Sequence, residues 1–187
     1  KGLVGSEMCI RDRSVANETR KPIKQLLSNG NGFASLFEDG SLVTWGLGIH
    51  GGDSSEVQLK LANGVKKVCA TQTAFAALKE NGSVVTWGQF GGDSSEVSED
   101  LQSGVVDIFS TDLAFAALKE DGSLIVWGDS GSLGGMESIR HELQSGVVSV
   151  ATTDFKFSAT KQDGRIIFWG GTSNGGDSTM VNFHLRG

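Results

Sequence analysis

One phrase that recurs four times constrains the fold more than any other feature of this sequence. It reads GFASLFEDGSLVTWG, AFAALKENGSVVTWG, AFAALKEDGSLIVWG and KFSATKQDGRIIFWG. Each copy ends in Trp-Gly, and successive tryptophans are 42, 40 and 42 residues apart. Self-similarity at a period of roughly 20–50 residues is the signature of solenoids, propellers and other arrays. The four repeat tryptophans are Trp45, Trp87, Trp127 and Trp169.

Each repeat predicts three strands. In the third copy, apolar runs at 105–109, 115–119 and 123–127 have the length and β-branched content of strands. Asp-Gly or Asn-Gly between the second and third runs predicts a hairpin with a two-residue turn, in which both central residues have positive φ. The four turn glycines are Gly40, Gly82, Gly122 and Gly164.

The strands are apolar on both faces, since neighbouring residues such as Val84 and Val85 point to opposite sides. Such a sheet needs a neighbour on each side, which a stacked array supplies. We therefore predict an all-β repeat array of hairpin-based blades, a β-propeller-like segment of four units of about 41 residues.

The sequence divides at the repeat boundaries. Residues 3–13 resemble the in-frame translation of a sequencing-library adapter, so 1–13 is interpreted as an artefactual tail, with a natural tail as the alternative. Residues 14–22 form a polar lead-in. The four units are 23–64, 65–104, 105–146 and 147–187, and we interpret them as a fragment of a larger protein.

The segments between Trp-Gly and the next unit are predicted as short helices, with a fourth, outer strand as the alternative. Asp93 followed by Glu96 fits a capping box extended to Asp, and Gly104 stands where such a helix would end. In the first unit, Val57, Leu59 and Leu61 instead alternate as in a strand.

The phrase AFAALKEDGSLIVWG resembles the blade motif of the regulator-of-chromosome-condensation family over residues 23–187. The resemblance implies a β-propeller, commonly of seven blades, so we expect an open arc cut from such a ring. A closed four-bladed ring is the alternative. This sequence differs in its shorter units, its Gly-Gly-Asp-Ser loops and a Phe where the family often has His. Only architecture is therefore transferred, and no exchange residue.

Three functional classes follow. The first is a non-catalytic protein–protein interaction platform without a cofactor, whose partner binds rim loops. The resemblance alone implies the second, guanine-nucleotide exchange on a small GTPase. The third is the docking domain of a larger ubiquitin ligase or kinase. The loop at 129–141 is modest in length, which favours the platform over nucleotide exchange. We therefore predict that the protein is not an enzyme. The candidate interaction residues are His50, Asp53, Asp93, Met136, Arg140 and His141.

Other candidate chemistry is weaker. Asp53, Asp93 and Asp177 are weak calcium candidates, because they lie 40 and 84 residues apart in loops of different blades, whereas calcium needs several oxygen ligands at one site. Gly46–Gly51 matches a dinucleotide fingerprint and Gly171–Gly175 a nucleophile elbow, but both motifs require a parallel α/β sheet. The repeat tryptophans are interpreted as packing devices between blades, with ligand stacking as the alternative.

Composition limits the partners further. The net charge of −6 disfavours nucleic acid and anionic membranes. No signal peptide or long apolar span is visible, so the compartment is unknown and cytoplasmic only by default.

Overall fold

Four three-stranded antiparallel sheets, here called blades 1 to 4, make up the described part of the chain. The structure is a computed structural model that describes residues 21–133 and 136–171. In every blade the strands are hydrogen-bonded in chain order. The strands are β1 Ile23–Ser28, β2 Gly32–Phe37, β3 Leu42–Gly46, β4 Val65–Ala70, β5 Ala74–Lys79, β6 Val84–Gly88, β7 Val105–Ser110, β8 Ala114–Lys119, β9 Leu124–Gly128, β10 Val147–Thr152, β11 Lys156–Lys161 and β12 Ile166–Gly170. The predicted all-β fold class is confirmed.

The hairpins form where the sequence predicts them, but the predicted turn type is wrong. In blade 1 the Gly40 N–H donates to Phe37 O (3.0 Å) and the Phe37 N–H donates to Ser41 O (2.9 Å). This is a three-residue loop closed by a glycine bulge. Gly40 has a φ of +76°, and Asp39 is not among the described residues with positive φ.

The aspartate side chain explains the longer loop. Asp39 Oδ1 accepts hydrogen bonds from the Ser41 N–H (2.9 Å) and the Ser41 hydroxyl (2.6 Å). These bonds stabilise a turn in which only the glycine needs positive φ, since Asp and Asn readily bond a backbone N–H two residues on.

The blades stack face to face, and the core lies between them. Each blade turns a Phe and a Trp toward the blade before it. Phe75 and Trp87 thus pack on Ala34, Leu36 and Leu42. The other face is built from small residues and leucine, for example Ala74, Ala76 and Leu78 against Phe115 and Trp127. This pattern produces three consecutive cores, with the last one between blades 3 and 4.

The first strands of successive blades lie side by side. Gln25 of β1 exchanges hydrogen bonds with the backbone of Val68 in β4 (3.1 and 3.2 Å). One blade further, Lys67 Nζ lies 2.6 Å from Asp107 Oδ1. The chain therefore winds as an arc with β1, β4, β7 and β10 on one edge.

The linkers between blades are helical, and the outer-strand alternative is wrong. They contain 3-10 helices at Gly48–His50, Ser55–Val57, Ser95–Val97, Asp100–Gln102, Ser130–Leu133 and Arg140–Gln144, and α-helices at Gln58–Leu61 and Met136–Ile139. None of the described helices is long and apolar enough to cross a membrane.

Two local expectations about the linkers are corrected. Residues 57–61 are helical despite their alternation. Leu61 is buried in the core between blades 1 and 2 and Val57 packs partly against it, whereas Leu59 is exposed. The capping box is absent: Ser94, not Asp93, precedes the helix Ser95–Val97. Asp93 Oδ1 instead accepts the Ser95 N–H at 3.0 Å.

In each of blades 2 to 4, a lysine at the end of the middle strand bonds the linker that precedes the blade. Lys119 Nζ donates to Asp100 O (2.8 Å). Lys79 bonds the carbonyls of Lys60 and Asn63, and Lys161 bonds those of Glu142 and Ser145. The ammonium groups thus satisfy carbonyl oxygens where the short helices end.

Blade 1 has no described blade before it, so its aromatic face is partly exposed. Phe33 is 43% exposed, whereas Phe75, Phe115 and Phe157, at the same repeat position, are at most 1% exposed. The described part of the chain is therefore an arc whose first face is uncovered.

Candidate interaction grooves between the linkers

The Gly-Gly-Asp-Ser-Ser loops after Trp45-Gly46 and Trp87-Gly88 are folded units held by internal hydrogen bonds. In the first linker, Thr44 Oγ1 donates to Gly52 O (3.2 Å) and is 2.8 Å from the buried Ser54 Oγ. Asp53 Oδ1 accepts the Ser55 N–H at 3.0 Å. The second linker repeats this arrangement with Thr86, Gly92 and Ser94.

Two of the repeat tryptophans, Trp87 and Trp127, attach their blades to the loop before them. Trp87 Nε1 donates to Gly51 O (2.9 Å), and Trp127 Nε1 donates to Gly91 O (3.1 Å). Each indole also stacks on the phenylalanine opposite it in the same sheet, with ring centroids 5.2 to 5.5 Å apart. Buried indoles with a satisfied N–H fix the position of a loop relative to the next blade.

Two equivalent grooves result, each between one linker and the next. The first, with a volume of about 510 Å³, is lined by Asp53, Glu56, Val57, Trp87 and Asp93 among others. The second, of about 760 Å³, is lined by residues that include Phe90, Asp93, Glu96, Leu133, Met136 and Arg140. We call them the first groove and the Phe90 groove.

The structure brings some of the sequence-predicted site residues together. Asp93, Met136 and Arg140 line the Phe90 groove, and Asp53 and Asp93 both line the first groove. His50 lies elsewhere: its Nδ1 is 2.8 Å from Asn31 Nδ2, and its carbonyl accepts a hydrogen bond from Asn29. His141 is exposed in the helix Arg140–Gln144 and lines neither groove.

Asp53 and Asp93 do not form a calcium site with other described residues. Each carboxylate is bonded to the N–H of a serine two residues on in its own loop. No cluster of three or more potential metal-ligating His, Cys, Asp or Glu residues occurs within 21–133 and 136–171. Asp177 lies outside the described residues.

The motif at Gly46–Gly51 also lacks its required context. Gly46–Gly51 leaves an antiparallel strand and contains only the 3-10 helix Gly48–His50. A dinucleotide fingerprint instead opens a full helix within a parallel βαβ unit. The second motif, Gly171–Gly175, lies outside the described residues after Gly171.

Hydrogen bonding and burial shift several pKa values. The hydrogen bond from Ser95 lowers the pKa of Asp93, so this groove carboxylate remains charged. Burial raises the pKa of the Cys69 thiol to about 11. The thiol donates to Ile108 O in the next blade (3.3 Å), which is a structural role.

Phe90 is the groove residue that sequence reasoning missed. It has a φ of +50°, the only positive value among the described non-glycine residues, and it is 63% exposed. The Gly92 N–H closes its turn by donating to Gln89 O (3.1 Å). The available signal is loop length: the second linker has GQFGGD where the first has GLGIHGGD.

Comparison with known proteins shows the fold. No family model matches the sequence, and no curated protein matches it. Among solved structures, Prp20p from Saccharomyces cerevisiae has a TM-score of 0.56 and 20% identity, covering 79% of this chain and 44% of its own.

Two further structures are similar. The ectodomain of the Physcomitrella patens receptor kinase CR4 has a TM-score of 0.55 and 17% identity over 83% of this chain and 45% of its own. Human WBSCR16 has a TM-score of 0.51 and 18% identity, over 80% and 48%. The chain spans less than half the length of each of these three structures. It is thus similar to part of a propeller of the type found in yeast RCC1 (Prp20).

Proposed function

We propose that the protein is a non-catalytic interaction platform, part of a larger propeller protein, that binds a protein partner through the grooves between its linkers. One observation carries this proposal: the repeat builds an equivalent groove at each of two successive blade junctions. A row of equivalent grooves gives a repeat protein an extended binding surface.

The bonding inside the loops supports a binding role. The groove carboxylates of Asp53 and Asp93 are held by their own loop backbone, and the Thr44 and Thr86 hydroxyls hold loop carbonyls. These polar groups shape the surface and present charge at fixed positions. An interface of this kind needs a preorganised surface, since ordering loops on binding weakens affinity.

The proposal is tested by selecting a random dodecamer peptide library on the full 187-residue chain. We expect enriched peptides whose binding falls at least tenfold in the Phe90→Gly variant and is unchanged in Glu80→Gln. Glu80 lies at a hairpin turn and lines neither groove. Failure to enrich any peptide that depends on the grooves would refute the proposal.

Guanine-nucleotide exchange is the alternative, and it rests on fold likeness alone. The study of Prp20p describes its binding to Gsp1p and histones. Release of fluorescent GDP from a small GTPase, measured with and without this chain, separates the two functions. The platform proposal expects no acceleration.

A further inference from the structure

The Phe90 groove has an apolar lining at its centre. The buried side chains of Trp127 and Met136 contribute to its wall, together with the half-buried Val97 and Leu133. Its volume of about 760 Å³ is within the range of small-molecule pockets and of grooves that hold one or two side chains.

Phe90 presents a large apolar side chain at the mouth of this groove in a strained backbone conformation. A φ of +50° is rare for a bulky residue and would be unstrained with glycine. Such strain persists where it is part of a function. Because the ring is 63% exposed, packing within the protein does not explain why Phe is present. An aromatic anchor for a partner would explain it.

The charge around the groove is negative. Asp93, Glu96 and Glu137 contribute carboxylates, whereas Arg140 is the one cation among the described lining residues. Its Nη2 lies 3.2 Å from Glu137 Oε1, so that pair is internally neutralised. Asp93 and Glu96 remain as the uncompensated charges.

The first groove repeats this chemistry one blade earlier. Asp53, Glu56 and Asp93 line it, and its described lining contains no Lys or Arg. Asp93 belongs to both grooves, which therefore adjoin. A partner that follows the two grooves meets carboxylates at intervals of one repeat.

We infer that the two grooves together bind an extended basic segment of a partner protein, with an apolar side chain against Phe90 and Lys or Arg side chains beside Asp53, Glu56, Asp93 and Glu96. Charge complementarity selects this occupant, since an acidic segment would meet like charges at both grooves. The inference rests on the proposed platform function and specifies its partner class.

Two synthetic dodecamers test the partner class directly. One alternates Arg and Leu with Gly spacers, and the other replaces each Arg with Glu. Fluorescence anisotropy with the full chain should show binding of the basic peptide and at least tenfold weaker binding of the acidic peptide. Raising the salt concentration to 0.5 M should weaken the basic complex, because the rim charges are screened.

Matched variants test the site. Phe90→Gly should weaken binding of the basic peptide at least tenfold, and Glu96→Gln about threefold. Glu80→Gln removes the same charge outside the grooves and should change nothing. Circular dichroism of each variant shows that the fold is retained, so a loss of binding reports on the groove.

The outcomes separate this inference from the platform function. If the library selection enriches neutral or acidic peptides that depend on Phe90, the platform stands and the basic partner class is wrong. If the basic peptide binds Phe90→Gly and Glu80→Gln as well as it binds the original chain, the groove assignment is wrong.

Discussion

At the residue scale, the hairpin turns contain a repeated titratable group. Hydrogen bonds from Ser41 lower the pKa of Asp39 to about 2, and the same bonds from Ser123 lower the pKa of Asp121. The guanidinium and the N–H of Arg165 lower the pKa of Asp163. Blade 2 has Asn81 in this position, with the same bonds to the Ser83 N–H and hydroxyl (3.1 and 2.8 Å). The turn can therefore be built with or without a charge.

This arrangement predicts an acid-dependent loss of stability. A carboxyl whose folded pKa is lowered stabilises the fold above its unfolded pKa, and this contribution disappears as the pH falls from about 4 toward 2. In the double variant Asp39→Asn/Asp121→Asn, the unfolding free energy should fall less between pH 6 and pH 3 than it does in the original chain. Urea titration at the two pH values measures this difference. Asp100→Asn, a change at an exposed aspartate outside the turns, should leave that decrease unchanged.

Phe90 gives a second prediction at the same scale. Phe90→Gly relieves the positive φ and should raise the unfolding free energy by about 0.5–1 kcal/mol, although glycine also gains freedom in the unfolded chain. Thermal unfolding followed by circular dichroism measures this change. A loss of more than 1 kcal/mol would show that the Phe90 ring stabilises the fold, contrary to its proposed role.

At the scale of elements, Trp87 and Trp127 each connect a blade to the preceding loop. Trp127→Phe removes the bond to Gly91 O and leaves a void, which should cost about 2–3 kcal/mol of unfolding free energy. Trp45→Phe is the matched change in blade 1, where the indole is half-buried and no described blade precedes it. Its cost should be at least 1 kcal/mol smaller by urea titration. Equal costs would mean that the attachment between blades contributes little.

The linker at 57–61 is helical although its alternating apolar residues predict a strand. Val57, Leu59 and Leu61 alternate, yet Leu59 is exposed, whereas Leu61 enters the core and Val57 packs partly against it. The helix is selected because Lys79 bonds the carbonyls of Lys60 and Asn63 where the linker ends. Lys79 is distant in sequence, so a local pattern does not reveal this contact.

At the scale of the whole molecule, the two end faces of the described arc differ. Blade 1 exposes Phe33 beside Trp45. The outer face of blade 4 has Lys156, Ser158 and Thr160 where blades 2 and 3 have Ala, Ala and Leu. Polar outer faces are typical of terminal repeats, whereas an uncovered aromatic face favours association.

Self-association through blade 1 is therefore expected. Sedimentation velocity of the full chain should show a concentration-dependent increase in mass, and Phe33→Gln should reduce it because the change removes exposed apolar area. Thr160→Gln, on the polar face of blade 4, should have no effect. A monomer at all concentrations, or equal association in Phe33→Gln, would contradict the prediction.

The sequence alone determined the repeat, the three strands per blade and the positions of the hairpins. These features are local, since apolar runs, turn residues and a recurring Trp-Gly act within about 15 residues. In a chain with four copies of one pattern, stacking is the only way to bury both faces of each sheet. Stacking in turn produces the propeller-type architecture.

Tertiary structure decided the turn geometry, the helical linkers and the grooves. Asp93, Met136 and Arg140 meet because blades 2 and 3 pack through Trp127 and Gly91, which are 36 residues apart. His141 has a similar sequence position but is exposed and lines neither groove. Contacts between blades depend on the packing angle of whole sheets, which is set by the sum of many side-chain volumes and is not encoded in any single repeat.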